Sequence, residues 1–143
     1  MKINQLKLVM QYVPNQIGFI LRSKEPGLGV VEEIKKIASE VWKQEFILVR
    51  TSQVDMYDIE MLICECKHYS KGPKTIFFDE METITNDMRE YILNKFSINR
   101  NEILHNDTHV IYHENEMVNE DEAYPTSWND YVVSHGVTYN IEK

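Results

Sequence analysis

"QIGFILRSKEPGLGVVEEI", residues 16 to 34, reads as a strand, a turn and the start of a helix. "QIGFILR", 16 to 22, is a short apolar run bounded by turn residues, which predicts a buried strand. Gly27 and Gly29 lie in the turn, where a glycine serves if the backbone needs positive φ. From Val31 to Trp42 the apolar residues are Val31, Ile34, Ile37, Ala38, Val41 and Trp42. That spacing gives a helix with one apolar face. Glu32 and Lys36 form an i, i+4 pair on its polar face.

The same alternation continues outward. Residues 3 to 12 predict a short helix (Ile3, Leu6, Leu8, Val9, Tyr12) that ends before Pro14, because a proline pushes its predecessor out of the helical region. "EFILVR", 45 to 50, is a second apolar strand. Residues 51 to 74 read as a loop with one helical turn and a Gly-Pro break. "TIFFDE", 75 to 80, is a third strand that ends in two acids. Residues 84 to 97 form a helix with Met88, Ile92 and Phe96 on one stripe and Tyr91 beside it, capped by Thr85 or Asn86. "THVIYH", 108 to 113, is a fourth strand. From Glu114 the chain is acidic, then aromatic-rich and irregular. Strands alternating with helices imply a parallel sheet covered on both faces. Strands buried on both faces should be continuously apolar, as these are.

Composition narrows the function. The 143 residues suit one domain with a real core, and 43% hydrophobic with 27% charged residues is a globular balance. No apolar run approaches the roughly 20 residues that cross a bilayer, and "MKINQLKLVM" lacks the apolar block of a signal peptide. A cytoplasmic protein without membrane contact is expected, in a host cytoplasm if the source is viral. The formal charge of -8 argues against direct nucleic-acid binding, which needs clustered Lys and Arg. It leaves room for an acidic mimic of DNA. The two cysteines, Cys64 and Cys66, are one residue apart and build no disulfide scaffold.

The turn after the first strand approaches the phosphate-binding pattern G-x-x-x-x-G-K-[ST]. Aligned on Gly29, the lysine position is Val30, the hydroxyl position is Val31, and the first glycine position is Lys24. The lost lysine is the charge that faces the β- and γ-phosphates, and the lost hydroxyl is a magnesium ligand. Glu25, Glu32 and Glu33 add charge that repels a phosphate. "IFFDE" has the form of the Walker B strand, in which Asp79 holds magnesium and Glu80 polarises the attacking water.

Taken together, residues 13 to 116 resemble the front part of an AAA+ ATPase module, most like the MoxR type. "VPNQIGFILRSKEPGLG" is similar to that family's first strand and phosphate loop. "FILVRTSQVDMYDIEML" is similar to its second strand and following segment. "TIFFDEMETITNDMREYILNKF" resembles the Walker B strand and its helix. "HVIYHENE" resembles the sensor-1 strand and puts the sensor asparagine at Asn115. The departures are the degenerate Walker A loop and a stretch after Asn115 without any arginine, where the family continues to an arginine finger and a helical lid.

The resemblance implies an α/β, P-loop NTPase-like three-layer sandwich with a mainly parallel sheet. Residues 1–116 form the degenerate AAA+-like core, and 117–143 form an acidic, aromatic-containing extension packed on the core or on a partner. The function expected is a non-catalytic AAA+-like protein-binding module: a regulator, decoy or inactive subunit, encoded by a phage or mobile element. Its partner is an AAA+ ring or a second copy of itself. Asp79, Glu80 and Asn115 are then vestigial, Gly27 and Gly29 serve the turn, and neither cofactor nor metal is expected. Two alternatives stand. One is an active NTPase that uses ATP and Mg through an atypical loop, with Lys24 or a neighbour's lysine replacing the missing one. The other is an acidic DNA mimic, tested by loss of Glu120 to Glu122; the wider patch of Glu114, Glu116, Glu120, Asp121 and Glu122 reads as a solvated loop or a surface that meets a basic partner. Cys64, Cys66 and His68 alternate as zinc ligands can, but their spacing fits no common site. His105, His109 and His113 would align on a helix, and on a strand that stripe dissolves. A Ser-His-Asp hydrolase has no nucleophile-elbow sequence to support it. Tyr124, Trp128, Tyr131 and Tyr139 are expected to pack the tail or to form a contact patch.

Overall fold

The computed structural model of the chain describes residues 1–12, 18–25, 27–115 and 136–142, with the side chains of 136–138 left aside. Five strands form one parallel sheet: β1 (Gly18–Ser23), β2 (Glu45–Arg50), β3 (Lys74–Asp79), β4 (His109–Asn115) and β5 (Gly136–Ile141). The order across the sheet is β2-β3-β4-β1-β5. The helices are α1 (Leu6–Met10), α2 (Val30–Ile37), α3 (Met56–Cys64) and α4 (Asn86–Leu93). The last three each run on into a π-helical turn.

The three layers follow from the period of two along each strand. Phe19 and Leu21 of β1, Phe77 of β3 and Ile111 of β4 point to one face, where Leu6, Met10, Val30, Ile34 and Ile37 cover them. Ile20, Ile76, Phe78, Val110 and Tyr112 point to the other, against Ile59, Ile92, Leu93 and Phe96. Both faces of the central strands are covered, so β1, β3 and β4 each hold a continuous apolar run in their middle rather than an alternating one. Phe78 anchors the second face, edge-on to Phe96 at 4.9 Å and stacked on Tyr112 at 5.5 Å.

Two stretches correct the sequence reading. Residues 51 to 74, expected as a loop with one turn, contain α3. Its start is a capping box: Asp55 Oδ1 accepts from the Asp58 N–H at 2.9 Å, and Asp58 Oδ2 accepts from the Asp55 N–H at 3.0 Å. The stretch after Glu114, expected as irregular, includes β5, which pairs with β1 from Gly18↔Gly136 to Ser23↔Ile141. Ile141 is buried on the α2 face, and Tyr139 lies 6.5 Å from Phe19. The N-terminus is tied to the same strand, since the Met1 ammonium donates to the Asn140 carbonyl at 2.9 Å.

Candidate functional site

Parallel strands point their carboxyl ends the same way, and sites in open α/β sheets form there. In this chain that edge carries a pocket of about 260 Å³, lined by residues of the glycine turn, the start of α2 and the ends of β1, β2, β3 and β4. Gly27 and Gly29 stand at φ +77° and +74°, a region that L side chains adopt at a cost, so both glycines are demanded by the backbone. Gly29 caps α2. Val30, at the position of the Walker A lysine, is 5% exposed and packs among Leu21, Ile34 and Phe77. Val31, at the hydroxyl position, is half-buried. Lys24 is exposed and is not among the pocket-lining residues.

Asp79 and Glu80 both lie at the pocket, and both are engaged by the chain itself. Asp79 Oδ1 is 2.7 Å from His113 Nδ1 and accepts from the Glu80 N–H at 2.8 Å. Burial pushes the Asp79 carboxyl up. The His113 hydrogen bond and charge, the Glu80 N–H and Arg50 outweigh that and hold it below the usual carboxylate range. Glu80 sits at φ +64°, which is strained for a residue with a Cβ. Its carboxylate accepts from the Ser52 hydroxyl and lies 3.7 Å from Arg50 Nη1. Thr51, which is buried, shares its hydroxyl proton between the Asp79 and Glu80 carbonyls at 2.7 and 2.9 Å and ties the ends of β2 and β3 together.

Asn115 ends β4 on the pocket wall. Its backbone N–H and its Nδ2 both donate to Glu82, each at 3.1 Å, so a carboxylate after β3 holds the expected sensor residue. Its Oδ1 has no hydrogen-bond partner among the described residues. Two other arginines have structural partners and do not line the pocket. Arg89 is buried and donates to the Met81 and Glu82 carbonyls at 2.8 and 3.0 Å. Arg100 is buried and donates to the Thr108 carbonyl at 2.5 Å. Arg50 is the one Lys or Arg among the described residues that line the pocket.

Two residues that sequence reading did not assign complete the site. His113 Nε2 lies 2.8 Å from Ser23 Oγ, so Ser23, His113 and Asp79 form one hydrogen-bonded chain across β1, β4 and β3. All three are over nine-tenths buried. All three share the parity of the α2 face, in line with Leu21, Ile111 and Phe77 below; Ser23 and Asp79 end their strands there, and Asn115 follows His113. That shared parity was the signal available, but it becomes readable only once the strand register is known.

The remaining candidates scatter. Cys66 is buried, and that burial raises its thiol pKa, while Cys64 is half-buried and His68 is exposed. Among the described residues no group of three or more His, Cys, Asp or Glu side chains is arranged to hold a metal. His105, His109 and His113 do not meet: His105 is exposed beside Asp107, and His109 is at the opposite end of β4 from His113. Glu114 is buried and ion-paired with Arg22. Glu116, Glu120, Asp121, Glu122, Tyr124, Trp128 and Tyr131 lie outside the described residues. No described helix is long and apolar enough to cross a membrane.

No protein-family model and no curated protein matches the chain. Among solved structures it is similar to that of C. elegans PCH-2, with a TM-score of 0.53 and 15% sequence identity, over 96% of this chain and 39% of that one. The chain thus spans well under half the length of the protein it matches. PCH-2 is an AAA+ ATPase, and at this identity the likeness concerns the fold alone. The five-stranded parallel sheet between two helical layers is an AAA+-like, P-loop NTPase-like sandwich.

Proposed function

We propose that this chain is a non-catalytic AAA+-like binding module, which keeps the fold of a nucleotide-driven machine without turning nucleotide over. The observation that supports this most is the engagement of both strand-end acids by the chain itself: Asp79 by His113, and Glu80 by Arg50 and Ser52. A magnesium ion at Asp79 would share the carboxylate with a buried histidine that already holds Oδ1. With Val30 in the core, no lysine lines the pocket among the described residues. Glu25, Glu32 and Glu80 outnumber Arg50 around the pocket and oppose a polyanion.

The role then is docking, as a regulator, decoy or inactive subunit. Tyr57 and Met61 lie one turn apart on α3, 66% and 52% exposed, and suit a protein contact. The partner we name is an AAA+ ring, a host's if a phage or mobile element encodes the chain, or a second copy. Of the acidic patch, Glu114 is buried and paired, while Glu120 to Glu122, on which the DNA-mimic reading rests, lie outside the described residues.

Calorimetric titration of the full chain with ATP and magnesium tests the proposal. No heat at millimolar nucleotide supports it. Binding that disappears in Asp79→Ala overturns it in favour of an NTPase with an atypical loop. That second reading draws on the pocket and the two positive-φ glycines, which keep the shape of a phosphate loop.

A further inference from the structure

The chain Ser23–His113–Asp79 has the order and spacing of a nucleophile, a base and an orienting carboxylate. The proton positions follow from chemistry. A carboxylate can only accept, so the proton between Asp79 and His113 sits on Nδ1. In the neutral imidazole this leaves the Nε2 lone pair facing Ser23, and the Ser23 hydroxyl donates to it across 2.8 Å. The ring is held from below as well, stacked on Phe77 at 6.0 Å and 17°. The Glu80 N–H steadies the carboxylate. All three residues line the same pocket, with the glycine turn and the first residues of α2 beside Ser23.

We propose that Ser23 is an activated nucleophile that accepts the acyl group of a small neutral or cationic ester. Pocket charge sets the substrate class: Glu25, Glu32 and Glu80 against Arg50 repel anionic esters. A pocket of about 260 Å³ admits a small acyl group. Ser23 Oγ attacks the carbonyl carbon while its proton passes to His113 Nε2. The tetrahedral adduct collapses, the C–O bond to the alcohol breaks, and the alkoxide takes that proton. Ser23 is left as an O-acyl ester. Water then attacks the ester by the same proton route and releases the acid. The activity is independent of the docking role, and its test does not involve nucleotide.

The test is intact-protein mass spectrometry of the full chain after incubation with diisopropyl fluorophosphate, a neutral reagent that loses fluoride to an activated serine. The expected result is one adduct, mapped to Ser23 by peptide mass spectrometry and absent in Ser23→Ala. Its rate should fall about 100-fold or more in His113→Gln. Circular dichroism establishes that each variant folds, and Asp79→Asn replaces His113→Gln if the latter does not. A parallel assay should show p-nitrophenyl acetate cleaved in a Ser23-dependent way and p-nitrophenyl phosphate left intact. Absence of a Ser23 adduct in the wild-type chain overturns the proposal. So does an unchanged labelling rate in a folded His113 or Asp79 variant.

Discussion

His113 Nδ1 is 2.7 Å from Asp79 Oδ1, so the acid that the resemblance makes a magnesium ligand is the hydrogen-bond partner of a buried histidine on the neighbouring strand. One contact thereby changes the chemistry of the pocket. It gives the carboxylate an internal hydrogen-bond donor, and it fixes the orientation of the imidazole.

That contact has a cost of removal. Asp79→Ala leaves the His113 Nδ1–H and the Glu80 N–H buried without an acceptor and should destabilise the fold by about 1–3 kcal/mol in urea unfolding. A double-mutant cycle with His113→Ala should be non-additive, since each single change already breaks the pair. Additive losses would mean that the two side chains do not depend on each other. Because the folded pKa of Asp79 is lowered, its contribution is present above the ordinary carboxylate pKa and is lost as pH falls through the folded value.

His109 predicts a different acid response. It lies flat against Trp42 at 3.7 Å, and its Nδ1 meets Gln44 Oε1 at 3.0 Å. Burial, then the charge of Arg100, push its pKa down to about 4. The unfolded chain takes up this proton first, near the ordinary histidine value. Stability should therefore fall between about pH 6.5 and pH 4, by up to about 3 kcal/mol, and the dependence should level off below. Melting temperatures across that range should flatten in His109→Gln. An equally steep profile in that variant would assign the loss to other groups.

The two glycines of the turn differ from their neighbours in backbone demand alone. A β-branched residue at either one takes on a left-handed conformation, so Gly27→Val and Gly29→Val should each cost about 1–2 kcal/mol. Among the described residues no atom lies within 4 Å of a Cβ built at Gly27, so steric clash contributes little there. A Gly27→Val variant that melts at the wild-type temperature would refute the positive φ.

Restoring the missing lysine should fail. Val30 packs in the core with Leu21, Ile34 and Phe77, and Val30→Lys would bury an unpaired ammonium at about 3 kcal/mol or more. No ATP binding should appear. A stable Val30→Lys chain that binds nucleotide would mean that the side chain at this position turns outward.

How much of this was legible in the sequence depends on whether the signal was local. The strand from Lys74 to Asp79 could be read because burial on both faces makes its middle continuously apolar, and the edge strand from Glu45 to Arg50 because it carries the unbroken apolar run Phe46 to Val49. The Thr85 cap was also legible, and its hydroxyl accepts from the Met88 N–H at 3.3 Å. α3 was missed because its capping box uses Asp at both positions, where Ser or Thr with Glu or Gln is the usual signal. β5 was missed because "GVTYNI" is short and partly polar, and only its pairing with β1 makes it a strand. The Ser23–His113–Asp79 chain joins residues 90 and 34 positions apart. No window along the sequence contains it, and the strand order that assembles it is a tertiary fact.

The position of β1 also sets the timing of folding. This strand lies inside the sheet, yet both its neighbours come from much later in the chain: Phe19 pairs with Ile111 on one side and Val137 on the other. During synthesis an apolar strand therefore leaves the ribosome long before either pairing edge exists. Closing such long loops before any contact rewards them makes folding slow and leaves intermediates prone to aggregation. A nascent chain of this topology would gain from a chaperone holding "GFILRS" until "GVTYNI" has emerged.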